Sequence, residues 1–363
     1  MWSMEFDAQR MSSHPDDLPA MQCTAKPIEN RPVVLGAWSH SLPVFLAPMS
    51  GITDLPFRRL AIRHGADVVV TEMVGSDALA VGDVDATVRL AGEGLACHVV
   101  QIAGRVPEPT ARAARMAVDA GADVIDLNMG CPAKRVVNGW SGSALMRDLD
   151  LATAIIREVV SAVDVPVTVK MRLGWDRSQM VAPELARRAE AEGVAMVTVH
   201  GRTRDQFYDG TADWDAVAPV RDAVAIPVVV NGDVASVETA RAALDRSGAD
   251  GVMVGRAACG RPWLPGRIAA GLAGREVPAE PEGAALAEIV AEHYDAMITH
   301  HGRFVGTKTA RKHLAWYLEA AEARGGDPVT ADDRRALLTA DDPARVLRLI
   351  HGLFSTRATR SAA

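Results

Sequence analysis

Cys131 stands in the stretch DLNMGCPAKRVVNGWSGSAL, directly after an apolar run and directly before a proline and a polar loop that contains glycine. A thiol so placed can be packing, a metal ligand or a reagent, and its surroundings decide between them. The other cysteines, Cys23, Cys97 and Cys259, lie far away and form no Cys-x-x-Cys pair, so neither a zinc site nor an iron–sulfur cluster has its usual spacing. No metal is expected. Lys170, Arg172, His200 and Arg202 also follow short Val-rich runs. A lysine in that position can form a Schiff base with a carbonyl substrate, or it can hold negative charge developing on a reduced flavin. Farther along, NGDV and GRAACGRP supply Gly232 and Gly255, which permit close backbone approach, and Arg256, a cation suited to a phosphate monoester.

Eight elements must position these groups. The runs VFLAPMSG, DVVVTEMV, HVVQIAG, DVIDLNMG, PVTVKMRLG, MVTVHGR, PVVVNGD and DGVMVGR are each too short and too β-branched for a buried helix. Amphipathic stretches such as ARAARMAVDAG, LATAIIREVVSAV and SVETARAALDRSG separate several of them. Near-continuous apolar strands imply a parallel sheet covered on its outside, and eight of them imply closure into a (β/α)8 TIM barrel; a doubly wound open sheet is the structural alternative. Reactive groups of such a barrel sit where strands end, and every run here ends in something polar: Met49 and Ser50, Glu72, Gln101, Asn128, Lys170 and Arg172, His200 and Arg202, Asn231 and Asp233, Gly255 and Arg256. A phosphate site is expected after strands seven and eight. No GxGxxG follows a strand, so a Rossmann nicotinamide site is not indicated.

A chain of 363 residues is long for one ordinary domain and suits one barrel with a small addition. Residues 1–30 read as a poorly ordered N-terminal extension, 31–268 as the barrel, 269–283, rich in Ala, Gly, Pro and Glu, as a linker, and 284–363 as a small helical domain. With 48% apolar and 23% charged residues the chain can bury a full core. The net charge of −7 argues against a surface generally coated by nucleic acid, so any RNA contact must be local. From Ala296 to Leu318 no acidic residue occurs, while Arg303, Lys308, Arg311 and Lys312 do, which is such a local patch. Neither a secretory leader nor a run of about 18 apolar residues is present, and unpaired cysteines suit a reducing compartment, so a cytoplasmic protein with no membrane partner is expected.

The segments APMSGITDLPFRRL, VVQIAG, DLNMGCP, GSAL, VKMRLGWD, TVHGRT, DGTADW, NGDV and GRAACGRPWL together resemble the tRNA-dihydrouridine synthases from about Val44 to Leu264. The similarity is greatest to the bacterial B-type branch, and ARKHLAWYL resembles a part of that family's C-terminal helical domain. The resemblance implies a flavoenzyme that binds FMN, takes hydride from NADPH and reduces the C5=C6 bond of a D-loop uridine in tRNA; a monomer is expected. It places FMN contacts on Pro48, Met49, Ser50, Gln101, Lys170, His200, Asn231, Gly232, Asp233, Gly255 and Arg256, matches Cys131 to the catalytic cysteine, and matches Asn128 to the asparagine that addresses uracil. Further tRNA contacts are expected from Lys134, Arg135, Arg202, Lys308, Arg311 and Lys312. The loop VVNGW carries less lysine than is usual for the family, and Trp140 there either stacks or packs. Two other functions compete: a small-molecule flavin barrel of the dihydroorotate dehydrogenase type, which would need no basic tail, and a flavin-free RNA-binding barrel, against which the intact Cys131, Lys170 and Gly255–Arg256 set argues.

Overall fold

The computed structural model describes residues 31–325 and 328–355; the expectation for residues 1–30 falls outside that range. All eight apolar runs are strands: β1 Val44–Leu46, β2 Val68–Val70, β3 His98–Ala103, β4 Val124–Met129, β5 Val167–Arg172, β6 Met196–His200, β7 Val228–Asn231 and β8 Gly251–Val254. Each pairs in parallel with the next, and β8 pairs with β1, so the sheet closes and the barrel is confirmed over the open-sheet alternative. A two-residue strand, Val74–Gly75, adds to the upper part of β3. Strand residues are buried almost throughout, as expected when one face fills the barrel and the other lies under helices. The separating helices include Pro107–Asp119, Leu149–Ala162 and Val237–Ser247, over the amphipathic stretches.

A repeated tripeptide organises the bottom of the barrel. Gly-Ala-Asp occurs at 65–67, 121–123 and 248–250, each time between a helix and the next strand. The glycines take left-handed φ values of 93°, 94° and 64°, which a side chain would resist. The aspartates then accept the first amide of the preceding strand, Val44 N at 2.8 Å, His98 N at 2.8 Å and Val228 N at 2.9 Å. This repeat is visible in the sequence once its role is known. An antiparallel hairpin, Val33–Leu35 with Trp38–His40, joins the core formed by Phe45, Val68, Val99, Val229 and Met253. Polar groups are therefore left for the opposite, C-terminal ends of the strands.

Beyond the barrel lie helices Gly283–His301, Arg303–Ala323, Ala331–Thr339 and Pro343–Phe354. Ala331–Thr339 was hidden in the sequence because it buries only Leu337, and its start depends on Thr330 capping Asp333 N at 3.1 Å. The tail has its own core, including Leu286, Tyr294, Leu314, Tyr317, Ile350 and Phe354, and Trp263 of the barrel belongs to it. The last barrel helix runs from Leu264 to Leu272, past residue 268, and the segment after it is anchored by Glu280. That carboxylate bonds Arg261, Trp263 Nε1 at 3.0 Å and Arg324 at 2.9 Å, so the linker is a fixed strap between barrel and tail.

Candidate active site

Strand alternation delivers polar side chains to one cleft of about 1630 Å³ at the C-terminal ends of the strands. Cys131, Asn128, Gln101, Lys170, His200, Asn231, Gly232, Asp233, Gly255, Arg256 and the Pro48–Ser50 turn all line it, so the structure brings together every residue expected to touch a cofactor. Arg135 lines the cleft as well, while its neighbour Lys134 is exposed outside it.

On β3 and β4 a buried network sets side-chain orientation. Asp126 accepts from Gln101 Nε2 at 2.7 Å and from Thr168 Oγ1 at 2.6 Å. Gln101 Oε1 in turn accepts from Asn128 Nδ2 at 2.7 Å. Asn128 Oδ1 accepts the backbone amides of Gly130 at 3.2 Å and Cys131 at 2.9 Å, which fixes the turn carrying the thiol. One amide proton of Asn128 is left to face the cleft. Asp126 escaped the sequence reading, although its alternation with Asn128 on the same strand was a usable signal. Burial pushes its carboxyl above the ordinary carboxylate range.

The loop after Cys131 folds back over it. Ser143 donates to the Cys131 carbonyl from its backbone N at 3.1 Å and from Oγ at 2.9 Å. Gly142 has φ +62°, and a Cβ there would lie 2.8 Å from Val136 Cγ1 and 2.9 Å from the Cys131 carbonyl, so only glycine closes this loop without displacement. Burial raises the Cys131 thiol above its ordinary value, keeping it protonated at neutral pH.

Across the cleft, Lys170 Nζ donates to Asn231 Oδ1 at 2.9 Å, and Asn231 Nδ2 donates to the Met253 carbonyl at 2.8 Å. Burial, aided by Arg172, lowers Lys170 to about 8. His200 is held well below its ordinary value by burial and then by Lys170 and Arg172, so its imidazole is neutral, and its buried Nδ1 has no partner among the described residues. Arg172 donates to the carbonyls of Gly130 at 2.9 Å and Thr203 at 2.8 Å, tying three strand ends together. Gly232 has φ +115°, and a Cβ would meet Ala212 Cβ at 2.7 Å, so only glycine lets the backbone after β7 pack here at the cleft wall. Arg256 is exposed, with its guanidinium 4.5 Å from the Tyr208 ring centre. Cations on one wall, hydrogen-bonding amides on another and a bare glycine backbone beside Arg256 fit a large planar anion with a phosphate tail.

Several expected RNA contacts are placed differently. Arg202 is only 2% exposed; it forms a two-pronged pair with Asp233, at 3.0 and 2.7 Å, and bonds the carbonyls of Asp209 and Gly210. Its donors are consumed internally and it does not line the cleft, so it braces Asp233 instead of meeting substrate. The three tail cations also separate. Lys308 Nζ sits 3.8 Å from the Phe304 ring, Arg311 pairs with Asp341 at 2.7 Å, and Lys312 is turned inward toward Gly51, where its Nζ would lie 3.0 Å from a Cβ. Helical spacing placed them on one face, but each meets a different neighbour: an aromatic ring, a carboxylate and the barrel's Gly51 turn.

A parallel (β/α)8 barrel with its polar cleft at the strand ends, a thiol under a loop and a cationic far wall has the layout of a barrel enzyme that holds a large planar anion. The dihydrouridine synthase family model matches residues 45–329, and the chain belongs to that family. A probable tRNA-dihydrouridine synthase of Rhodobacter capsulatus is 52% identical over 318 residues, covering 87% of this chain and 95% of the relative. The tRNA-dihydrouridine synthase B of Xanthomonas axonopodis pv. citri is 44% identical over 321 residues, covering 88% and 95%. Among solved structures, histamine dehydrogenase from Rhizobium sp. 4-9 shares the fold at 15% identity and a TM-score of 0.51, over 74% of this chain and 51% of the other. No described helix is long and apolar enough to cross a membrane.

Proposed function

We propose that the protein is a cytoplasmic FMN enzyme that uses NADPH to reduce the C5=C6 bond of a D-loop uridine in tRNA, with Cys131 as proton donor. The observation that carries this reading is the meeting, in one cleft, of the half-buried Cys131 thiol on the β4 side with Lys170, His200 and Arg256 on the β5–β8 side. FMN would be held by Pro48–Ser50, Gln101, Lys170, His200, Asn231, Gly232, Asp233, Gly255 and Arg256, and when bound it supplies the hydride that C6 receives. Lys170 keeps a positive charge near the site, and the backbone at Gly232 and Gly255 with Arg256 offers donors to a phosphate. Negative charge then builds at C5 of the uracil, and the Cys131 thiol transfers its proton there, leaving a thiolate that solvent reprotonates. Asn128 turns its free amide proton to the base while its oxygen holds the Cys131 turn. The loop closed by Gly142 fixes the thiol against the cleft wall, and solvent reaches it to reprotonate it once the product has left.

The test is spectroscopic. Purified protein should be yellow, should bleach with NADPH under argon, and should regain its absorbance on addition of tRNA lacking dihydrouridine. A colourless protein, or a bleached one that tRNA leaves unchanged, would refute the reading.

A further inference from the structure

The barrel carries a second hollow, of about 450 Å³, lined by Trp140, Arg147, Asp148, Leu149, Asp150 and Arg188. It adjoins the catalytic cleft across a single residue: Gly139 and Ser141 line the cleft, and Trp140 between them lines the hollow. Trp140 has φ +58°, a conformation a bulky side chain avoids, and it is 56% exposed. Burial therefore gains little from holding an indole there. Arg147 of the hollow shares one ring with a second guanidinium, Arg147 at 4.7 Å and Arg204 at 4.5 Å from the Trp175 centre.

The charges around this rim are unevenly matched. Arg188 is paired with Asp150 at 2.7 Å, and Asp148 caps its helix by accepting Leu151 N at 3.0 Å, so both acids of the hollow are occupied. Asp176, which feels Arg147, has its Oδ1 engaged by Ser178 N at 2.8 Å and Ser178 Oγ at 2.6 Å. Arg147 and Arg204 form no ion pair among the described residues, whereas Arg157, Arg187 and Arg246 on the outer helices each do. In a chain of net charge −7, cations left without carboxylates beside an exposed indole form an anion-plus-base surface.

We infer that this hollow is a second nucleotide site, in which a base adjoining the target uridine stacks on Trp140 while its phosphate lies against Arg147 and Arg204. The inference rests on the proposed tRNA activity and adds how the enzyme keeps a single uridine extruded: the neighbour is given its own platform one residue from the cleft. Stacking on an aromatic ring accepts any base, so the platform selects an unstacked strand and not a sequence.

Flavin-loaded enzyme and unmodified tRNA supply the test. Trp140→Ala should raise the tRNA KM about tenfold, as the loss of one stacked base implies, and Trp140→Phe should restore most of it. Neither should alter the salt slope of tRNA binding. Arg147→Ala with Arg204→Ala should instead flatten the log–log slope by roughly 0.7 to 0.9 for each phosphate left without its cation. Arg246→Ala removes a cation that also lies over a tryptophan, Trp214 at 5.3 Å, but is paired with Asp215, and should leave affinity and slope unchanged. Wild-type KM in Trp140→Ala, or an equal loss in Arg246→Ala, would overturn the site. A wild-type enzyme that formed no dihydrouridine in tRNA would instead bring down the proposed function, an outcome that these variants do not produce.

Discussion

Lys170 is a half-buried ammonium whose charge is conditional. Desolvation and Arg172 bring it to about 8, so above that pH the free protein loses the cation that faces an anionic ligand. FMN affinity of the apoprotein should therefore fall as pH rises through about 8, and Lys170→Met should bind FMN weakly with no such dependence. Fluorescence titration from about pH 6.5 to about 9.5, a range that brackets the lysine, measures both; an unchanged slope in the variant would place the titrating group elsewhere. Which residues face the cleft was legible in the sequence, because a strand end is a position and the barrel converts position into direction. Which of them are free was not. Arg202 looked like any other strand-end cation, and only Asp233, 31 residues later, shows that its guanidinium is spent.

The covering loop is the element on which the chemistry most depends. Gly142 must be left-handed and must pass within van der Waals reach of Cys131, so Gly142→Ala should cost about 1–2 kcal/mol of stability from the backbone alone. It should also slow uridine reduction while FMN remains bound, because the displaced atoms are those that hold the thiol. Chemical denaturation and single-turnover assays check the two effects; loss of flavin in this variant would mean that the loop shapes the cofactor pocket instead. At this scale the strands and long helices were readable from apolar periodicity, since burial enforces it. The helix Ala331–Thr339 was not, because one buried leucine leaves no period, and the separate partners of the tail's cations were not either, because helical spacing says nothing about groups such as Asp341 or Gly51 that come from other parts of the chain.

The barrel and the tail are joined by apolar packing, with Trp263 of the barrel inside the tail's core, and by polar contacts. His301 of the tail bonds Asp54 of the barrel at 2.8 Å; this hydrogen bond raises the imidazole above its unfolded value of 6.5. A raised histidine contributes stability that is fully present below the unfolded pKa and is lost as pH rises through the folded one. The stability difference between wild type and His301→Ala should thus be greatest near about pH 6 and shrink on the alkaline side, read from urea midpoints across roughly pH 6 to 9. A difference independent of pH would mean that His301 acts by packing alone. A barrel followed by a helical tail was visible in the sequence pattern. Their rigid connection through Glu280, Asp54 and His301 was not, because each contact joins residues far apart in the chain.

The central proposal is that Cys131 delivers the proton when a tRNA uridine is reduced. Mass-spectrometric mapping of dihydrouridine in tRNA, after incubation with NADPH and either the wild-type protein or Cys131→Ala, tests it most directly. The wild type should convert a D-loop uridine. Cys131→Ala should retain FMN and oxidise NADPH yet form dihydrouridine about a hundredfold more slowly or worse, the loss expected of a missing general acid. Dihydrouridine formed by the variant at the wild-type rate, or none formed by the wild type, would contradict this mechanism.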